Sequence, residues 1–235
     1  MGTRYIVSCA GIFALCTVAA VRNARADGEG FEVIERADGI TVSVRDEPGK
    51  RLPTLRATGI VHGSVLHVLA VIVDDAHAPE WAVGSDETRV LRRLSPTAQI
   101  VYARNHQTWP VRDRDLVLRR DVRVVEAHKA YRVELRCLMR GIAPVEGVLR
   151  VTDCLTTISL RAVSARQTFV DYRVYADAAG DAPLWLVRRA SLDVPLETMR
   201  GLARRVAQTR TQYALEIAKL RELLDGDRSS KPERR

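Results

Sequence analysis

Two residue types in this chain could carry covalent or metal chemistry. There are five histidines, His62, His67, His77, His106 and His128, and four cysteines, Cys9, Cys16, Cys137 and Cys154. A zinc site needs ligands at close spacings such as Cys-x-x-Cys, and no cysteine here stands in such a pair or in a His/Cys cluster. His62 and His67 are five residues apart, which turns them away from a shared helical face. The sequence holds no Gly-x-Ser-x-Gly, no His-Glu-x-x-His and no glycine-rich phosphate loop. General acid–base catalysis calls for a histidine beside a carboxylate on an inward face, and none of the five falls in that pattern. The expectation is a protein without catalytic residues, metal or cofactor.

The densest polar stretch is Trp109-Pro110-Val111-Arg112-Asp113-Arg114-Asp115. Pro110 fixes its own φ and pushes Trp109 toward an extended conformation, so these residues form a shaped turn ahead of a strand over residues 116–125. Asp113 and Asp115 can accept hydrogen bonds from nearby backbone N–H groups and pair with the flanking arginines. Taken alone the stretch reads as a solvated charged turn.

The elements around it are mostly strands. Runs 31–36 and 40–45 flank Ala37-Asp38-Gly39, a hairpin turn, and a third strand covers 55–61 with Gly59 weakening it. Ser64 caps an apolar helix over 65–73. Asp74-Asp75 ends that helix, and Trp81 reads as a plug beneath a core. Strands then follow at 87–94, 99–107, 115–126, 130–139, 147–161 and 165–177, joined by hairpin-sized links, which gives an antiparallel meander. Tyr131, Val133, Leu135, Cys137 and Met139 alternate with Arg132, Glu134, Arg136 and Arg140, so one face is buried and the other wet. From Pro183 the period becomes helical as far as Leu224, with Leu184, Val187, Ala190, Ser191, Val194 and Thr198 on one stripe and a kink at Pro195. A long helix lying across the concave side of the sheet would cover its apolar face and could enclose a cavity for a small apolar molecule.

Residues 5–21 form an uncharged, largely apolar run after Arg4, followed by Ala24-Arg25-Ala26. This reads as a secretory signal (1–26) cleaved after Ala26, which makes the protein exported and periplasmic; retention as an inner-membrane anchor is the alternative. Leu15 before Cys16 is wrong for a lipoprotein site. Cleavage removes three arginines and lowers the formal charge from +8 to +5. That excess is scattered, and with 5% aromatic residues and no basic stripe it excludes a nucleic-acid partner but suits transient contact with an anionic membrane surface. A hydrophobic share of 46% supports a real core. In an oxidising compartment a single Cys137–Cys154 disulfide is available, although two buried free thiols are the reading the residues favour. Residues 225–235 are polar and expected to be disordered.

Three segments resemble the START (StAR-related lipid-transfer) domains in their exported bacterial form. Ala78-Pro79-Glu80-Trp81 is similar to the family's Tyr-Pro-Glu-Trp connector, residues 109–115 to its Trp-Pro-(Val/Met)-Ser-Asp-Arg-Asp segment, and Pro183-Leu184-Trp185-Leu186-Val187 to its Leu-Pro-Ala-Trp-Leu-Val helix opening. Arg112 and Leu116 depart from that pattern, and Cys154-Leu155-Thr156-Thr157 occupies the region where the family often has Gly-x-Trp. The resemblance spans residues 31–206. It implies an α+β helix-grip fold of the Bet v 1-like superfamily, a curved antiparallel sheet wrapped around a long C-terminal helix with an internal hydrophobic tunnel. The lipid-binding domain would occupy 27–206, with a helical extension over 207–224 able to serve as an interaction arm.

The function implied is non-catalytic binding or transfer of a hydrophobic lipid of the sterol, fatty acid or phospholipid class, by a monomer. The alternatives are a polyketide cyclase or aromatase of the same superfamily and a ligand-free envelope adaptor. Ligand contacts are expected from Val133, Leu135 and Met139 of the sheet and Val187, Ala190, Ser191 and Val194 of the helix, each of which taken singly reads first as core. Trp81, Trp109, Pro110, Asp113, Arg114 and Asp115 are expected to be structural, with Trp109 closing one side of the pocket or core.

Overall fold

The structure, a computed structural model, describes residues 29–107, 112–177 and 183–229. The segment read as a signal, Trp109 with Pro110, and residues 230–235 lie outside the described residues. Strands β1 (Glu32–Ala37), β2 (Ile40–Arg45) and β3 (Thr54–Val61) are followed by α1 (Val65–Val73) and a 3-10 turn at Asp75–Glu80. Then come β4 (Glu87–Ser95), β5 (Ala98–Asn105), β6 (Arg114–Glu126), β7 (Ala130–Cys137), β8 (Leu149–Val151), β9 (Cys154–Ser164) and β10 (Gln167–Ala176). The chain continues with α2 (Leu184–Ser191), α3 (Val194–Gln208) and α4 (Ala214–Ser229).

The hairpin between β1 and β2 follows from local chemistry. Asp38 and Gly39 both adopt positive φ, 54° and 74°, as a two-residue turn matched to the strand twist requires. At the next helix the Ser64 hydroxyl accepts from the His67 amide at 3.3 Å, capping a segment that is apolar nearly all round and buried from Val65 to Ile72.

The strands form one curved ten-stranded sheet in the order β1-β2-β3-β10-β9-β7-β6-β5-β4, antiparallel throughout except for β8, which runs parallel to β6. Helices α1 and α3 pack into its concave side. The core there joins Val42, Ala57, Val133, Ile158, Leu160 and Val170 of the sheet to the apolar stripe of α1 and to Leu196, Met199, Leu202 and Val206 of α3. This is the helix-grip architecture.

Several expectations need correction. The strand expected at 147–161 is two strands: β8 leaves β6 after three pairs, and β9 starts afresh at Cys154. The C-terminal helix is three helices. Pro195 does not kink a continuous helix but sits in the first turn of α3, where its missing N–H is no loss. The chain turns again after Gln208, so that Tyr213 and Leu224 enter the core and α4 packs on α1. The extension over 207–224 is therefore packed on the body rather than a free arm, and helix α4 runs past residue 225 to Ser229. Met139 lies beyond the end of β7, so strand alternation no longer governs it, and it is 80% exposed. Cys137 and Cys154 are joined as a disulfide rather than left as free thiols.

Candidate functional site

Strand register sorts the concave face into transverse rows, because directly opposed residues on neighbouring strands point to the same side. One row runs Val122–Val133–Ile158–Tyr172–Ala57–Val42. From Val133 to Val42 it is buried and belongs to the main core. Two residues along each strand lies the row Gln99–Arg120–Leu135–Thr156–Val174–Leu55–Val44. Beyond it Val101, Leu118, Cys137, Cys154 and Ala176 make a third row, closed by the disulfide.

The middle row differs from its neighbours. Leu135, Thr156, Val174 and Val44 are only half-buried although they face inward. An inward side chain that still meets solvent borders space that water can enter. On one side of that space stands the main core. On the other stands a small cluster of Ala103, Leu118, Val151 and the disulfide cysteines, and Leu135 packs against both. The middle row thus lies half-exposed between two apolar masses, with an aliphatic end at Val44 and Leu55 and a polar end at Arg120 and Gln99.

The polar end is built with some care. Arg120 donates to Asp75 Oδ1 at 2.6 Å and to the Val73 carbonyl at 3.1 Å, and the Gln99 amide donates to Asp75 Oδ2 at 2.8 Å. Arg120 is 6% exposed. Burial dominates both ionisations, pushing the Asp75 carboxyl up against the pull of Arg120 and Gln99 and the Arg120 guanidinium down against the pull of Asp75. A cleft of about 130 Å³ between α4, the end of α1 and the β4–β5 turn reaches the same group, lined among others by Val73, Asp75, Arg120, Leu220 and Leu224. The sequence reading passed over Arg120. The signal was present, since strict alternation over Leu118, Arg120, Val122 and Val124 places one arginine on the apolar face.

Of the residues expected to contact ligand, Leu135 belongs to the half-exposed row and Val133 sits one row deeper, fully buried in the core. Val187, Ser191 and Val194 are half-buried on α2 and the start of α3, and Ser191 Oγ is committed to the Val187 carbonyl at 2.8 Å. Ala190 falls within α2, its side chain outside the described set. Met139 stands exposed beyond the end of β7, outside the row.

The charged turn fastens the start of β6. Asp113 accepts from Arg104, His106 Nδ1 and the Gln107 amide, which together hold its carboxyl down to about 2. Asp115 is 1% exposed and takes a two-pronged contact from Arg150 of β8 at 2.6 and 2.8 Å. Arg114, also buried, donates to the Arg112 carbonyl. Trp81 is buried in the main core, with Gly201 of α3 against its backbone.

A model of the START domain family matches residues 19–211. An uncharacterized protein of Pseudomonas aeruginosa is 24% identical over 177 residues, 74% of this chain and 85% of that one. Among solved structures, a STAR-related lipid transfer protein of Xanthomonas axonopodis superposes with a TM-score of 0.69 at 23% identity, over 76% of this chain and 99% of that one. Human STARD10 gives 0.73 at 17% identity, over 87% and 84%. The aromatase/cyclase Zhui of a Streptomyces species gives 0.50 at 13% identity, over 68% and 97%. With the family pattern running through nearly all the strands and through α1 to α3, this chain belongs to the START domain family.

Proposed function

We propose that the concave face of the sheet holds a hollow along the half-exposed row, and that this protein binds one lipid-sized amphiphile in it. The apolar body would lie along Leu135, Val174 and Val44, and the polar end would face Arg120, Asp75 and Gln99. The observation that carries this reading is the half-exposed, inward-facing row between two buried apolar clusters. A ligand that covers such a row gains about 25 cal/mol for each Å² of apolar surface removed from water, enough to hold a hydrophobic molecule without any covalent chemistry. Family membership and the lipid-transfer protein among the structural neighbours support it.

We read the role as binding or carriage rather than catalysis. The histidine–carboxylate pairs His77–Asp74, His106–Asp113 and His128–Asp225 keep their imidazoles 46–59% exposed, outside the hollow. The proposal includes a periplasmic location after loss of residues 1–26.

The test is uptake by delipidated protein of fluorescent sterol, fatty acid and phospholipid probes, with native mass spectrometry of protein purified from its own compartment. Saturable uptake of one class, or a co-purified lipid, is expected. A flat titration across all three classes would overturn the reading.

A further inference from the structure

The convex face of the sheet carries two pairs of arginines that the register of β6 with β7 sets directly opposite one another, Arg119 with Arg136 and Arg123 with Arg132. Like charges so placed repel and lower stability unless something answers them. The first pair is answered. Asp121 takes a two-pronged contact from Arg119 at 2.8 and 2.9 Å, and Glu134 accepts from Arg136 at 2.8 Å. The second pair is not. Among the described residues neither Arg123 nor Arg132 has a hydrogen bond or ion pair, and both are exposed. Exposed Arg161 on β9 stands diagonal to Arg132, so three guanidinium groups share one patch.

An apolar strip borders those charges. The row Arg161–Phe169–Ile60 crosses β9, β10 and β3 on the same face, with the Arg161 guanidinium 5.4 Å from the Phe169 ring centroid and Ile60 42% exposed. Phe31 offers a contrast on that face. Its ring is stacked by Arg45, Arg56 and Arg173, but it is fully buried, and Glu47 and Asp171 take up the charge. At Phe169 no described carboxylate answers Arg161, and Ile60 beside it stays in water. Helices α1 and α3 pack on the opposite side of the sheet.

An aromatic ring, an aliphatic side chain and arginines free to pair make up a composition that concentrates binding energy at protein interfaces. The charges call for carboxylates on the other side. A second copy of the same face would set arginine against arginine, and a bare polyanion would gain nothing from Phe169 and Ile60. We propose that this patch docks an acidic protein segment, whose carboxylates pair with Arg123, Arg132 and Arg161 while one of its apolar side chains covers Phe169 and Ile60. The patch lies across the sheet from the half-exposed row, so docking leaves the concave face free.

The experiment measures binding of labelled probes to the full mature chain by fluorescence anisotropy. The probes are short glutamate-rich peptides with a central leucine, the same peptides with serine in its place, and inorganic polyphosphate; phosphatidylglycerol vesicles are tested by co-sedimentation. Saturable binding of the leucine peptide, weaker binding of the serine peptide and loss of both in high salt are expected. The double variant Arg123→Gln/Arg132→Gln should weaken peptide binding about tenfold, about threefold for each exposed ion pair. Its melting temperature should be no lower than that of wild type, because the substitutions also remove a repulsion. Ile60→Ser should erase the preference for leucine over serine. Wild-type protein that ignores the peptides at low salt would overturn the proposal, as would a double variant that binds them equally well or melts well below wild type. Binding of polyphosphate or vesicles with none of the peptides would overturn it too, in favour of a plain anion surface. Lipid uptake is measured in parallel. Protein that binds the peptide but takes up no lipid refutes the lipid-binding reading and supports this one; protein that takes up lipid but ignores the peptide does the reverse.

Discussion

Arg120 and Leu135 stand directly opposite one another on β6 and β7 and face the same side of the sheet, one locked in an ion pair and the other packed between two apolar clusters. The charge is tolerable there because Asp75, Gln99 and the Val73 carbonyl hold the polar groups of that end in hydrogen bonds. Removing one partner leaves the other charge buried and unpaired. Arg120→Ala is expected to cost about 3–5 kcal/mol by denaturant titration. In the surviving folded fraction it should also weaken uptake of lipids with a polar end more than uptake of a hydrocarbon probe.

Space along the row can be tested by filling it. Val174 faces inward and is half-buried, so Val174→Trp should block uptake of a fluorescent lipid while the melting temperature stays near that of wild type. A large loss of stability instead would mean that the region is already packed, since overfilling a tight core costs about 1–3 kcal/mol.

The disulfide closes a loop of 17 residues between β7 and β9. Constraining a loop of that size stabilises by about 3 kcal/mol through the unfolded state. The double variant Cys137→Ala/Cys154→Ala should lose about that much in denaturant titration, and thiol titration of the oxidised wild type should find no free sulfhydryl in the mature chain.

Gly201 packs against the Trp81 backbone so closely that an added Cβ would lie 2.2 Å from its carbonyl oxygen. A backbone atom cannot swing aside as a side chain can, so Gly201→Ala should destabilise by at least about 1–3 kcal/mol. Calorimetry would register this as a lowered melting temperature.

His67 and Asp113 both contribute to the acid side of the stability profile. Burial lowers the His67 imidazole below its ordinary 6.5, so the unfolded chain takes up its proton first. Stability contributed by neutral His67 is full above that value and is lost as pH falls through the lowered folded one. Asp113 follows at lower pH, its contribution present above 3.8 and lost as pH falls toward about 2. Denaturation midpoints measured from pH 8 to pH 3 should fall in the upper part of that range, and His67→Asn should flatten the step near neutrality.

The sequence by itself determined the order of elements, the meander, the hairpin at Asp38-Gly39 and which side of each long strand faces inward. All of these follow from periodicity of two or from local turn chemistry within a few residues. Alternation also carried the inward placement of Arg120, legible as an arginine in an apolar register. The tertiary structure alone decided the rest. Whether Cys137 meets Cys154 depends on the register of β7 with β9, and how far Leu135 is buried depends on what stands across from it. The break after Gln208 lets Tyr213 and Leu224 enter the core, a gain no window on the sequence contains. Exposure of an inward-facing residue is a property of empty space between distant segments, and one-dimensional pattern holds no record of it.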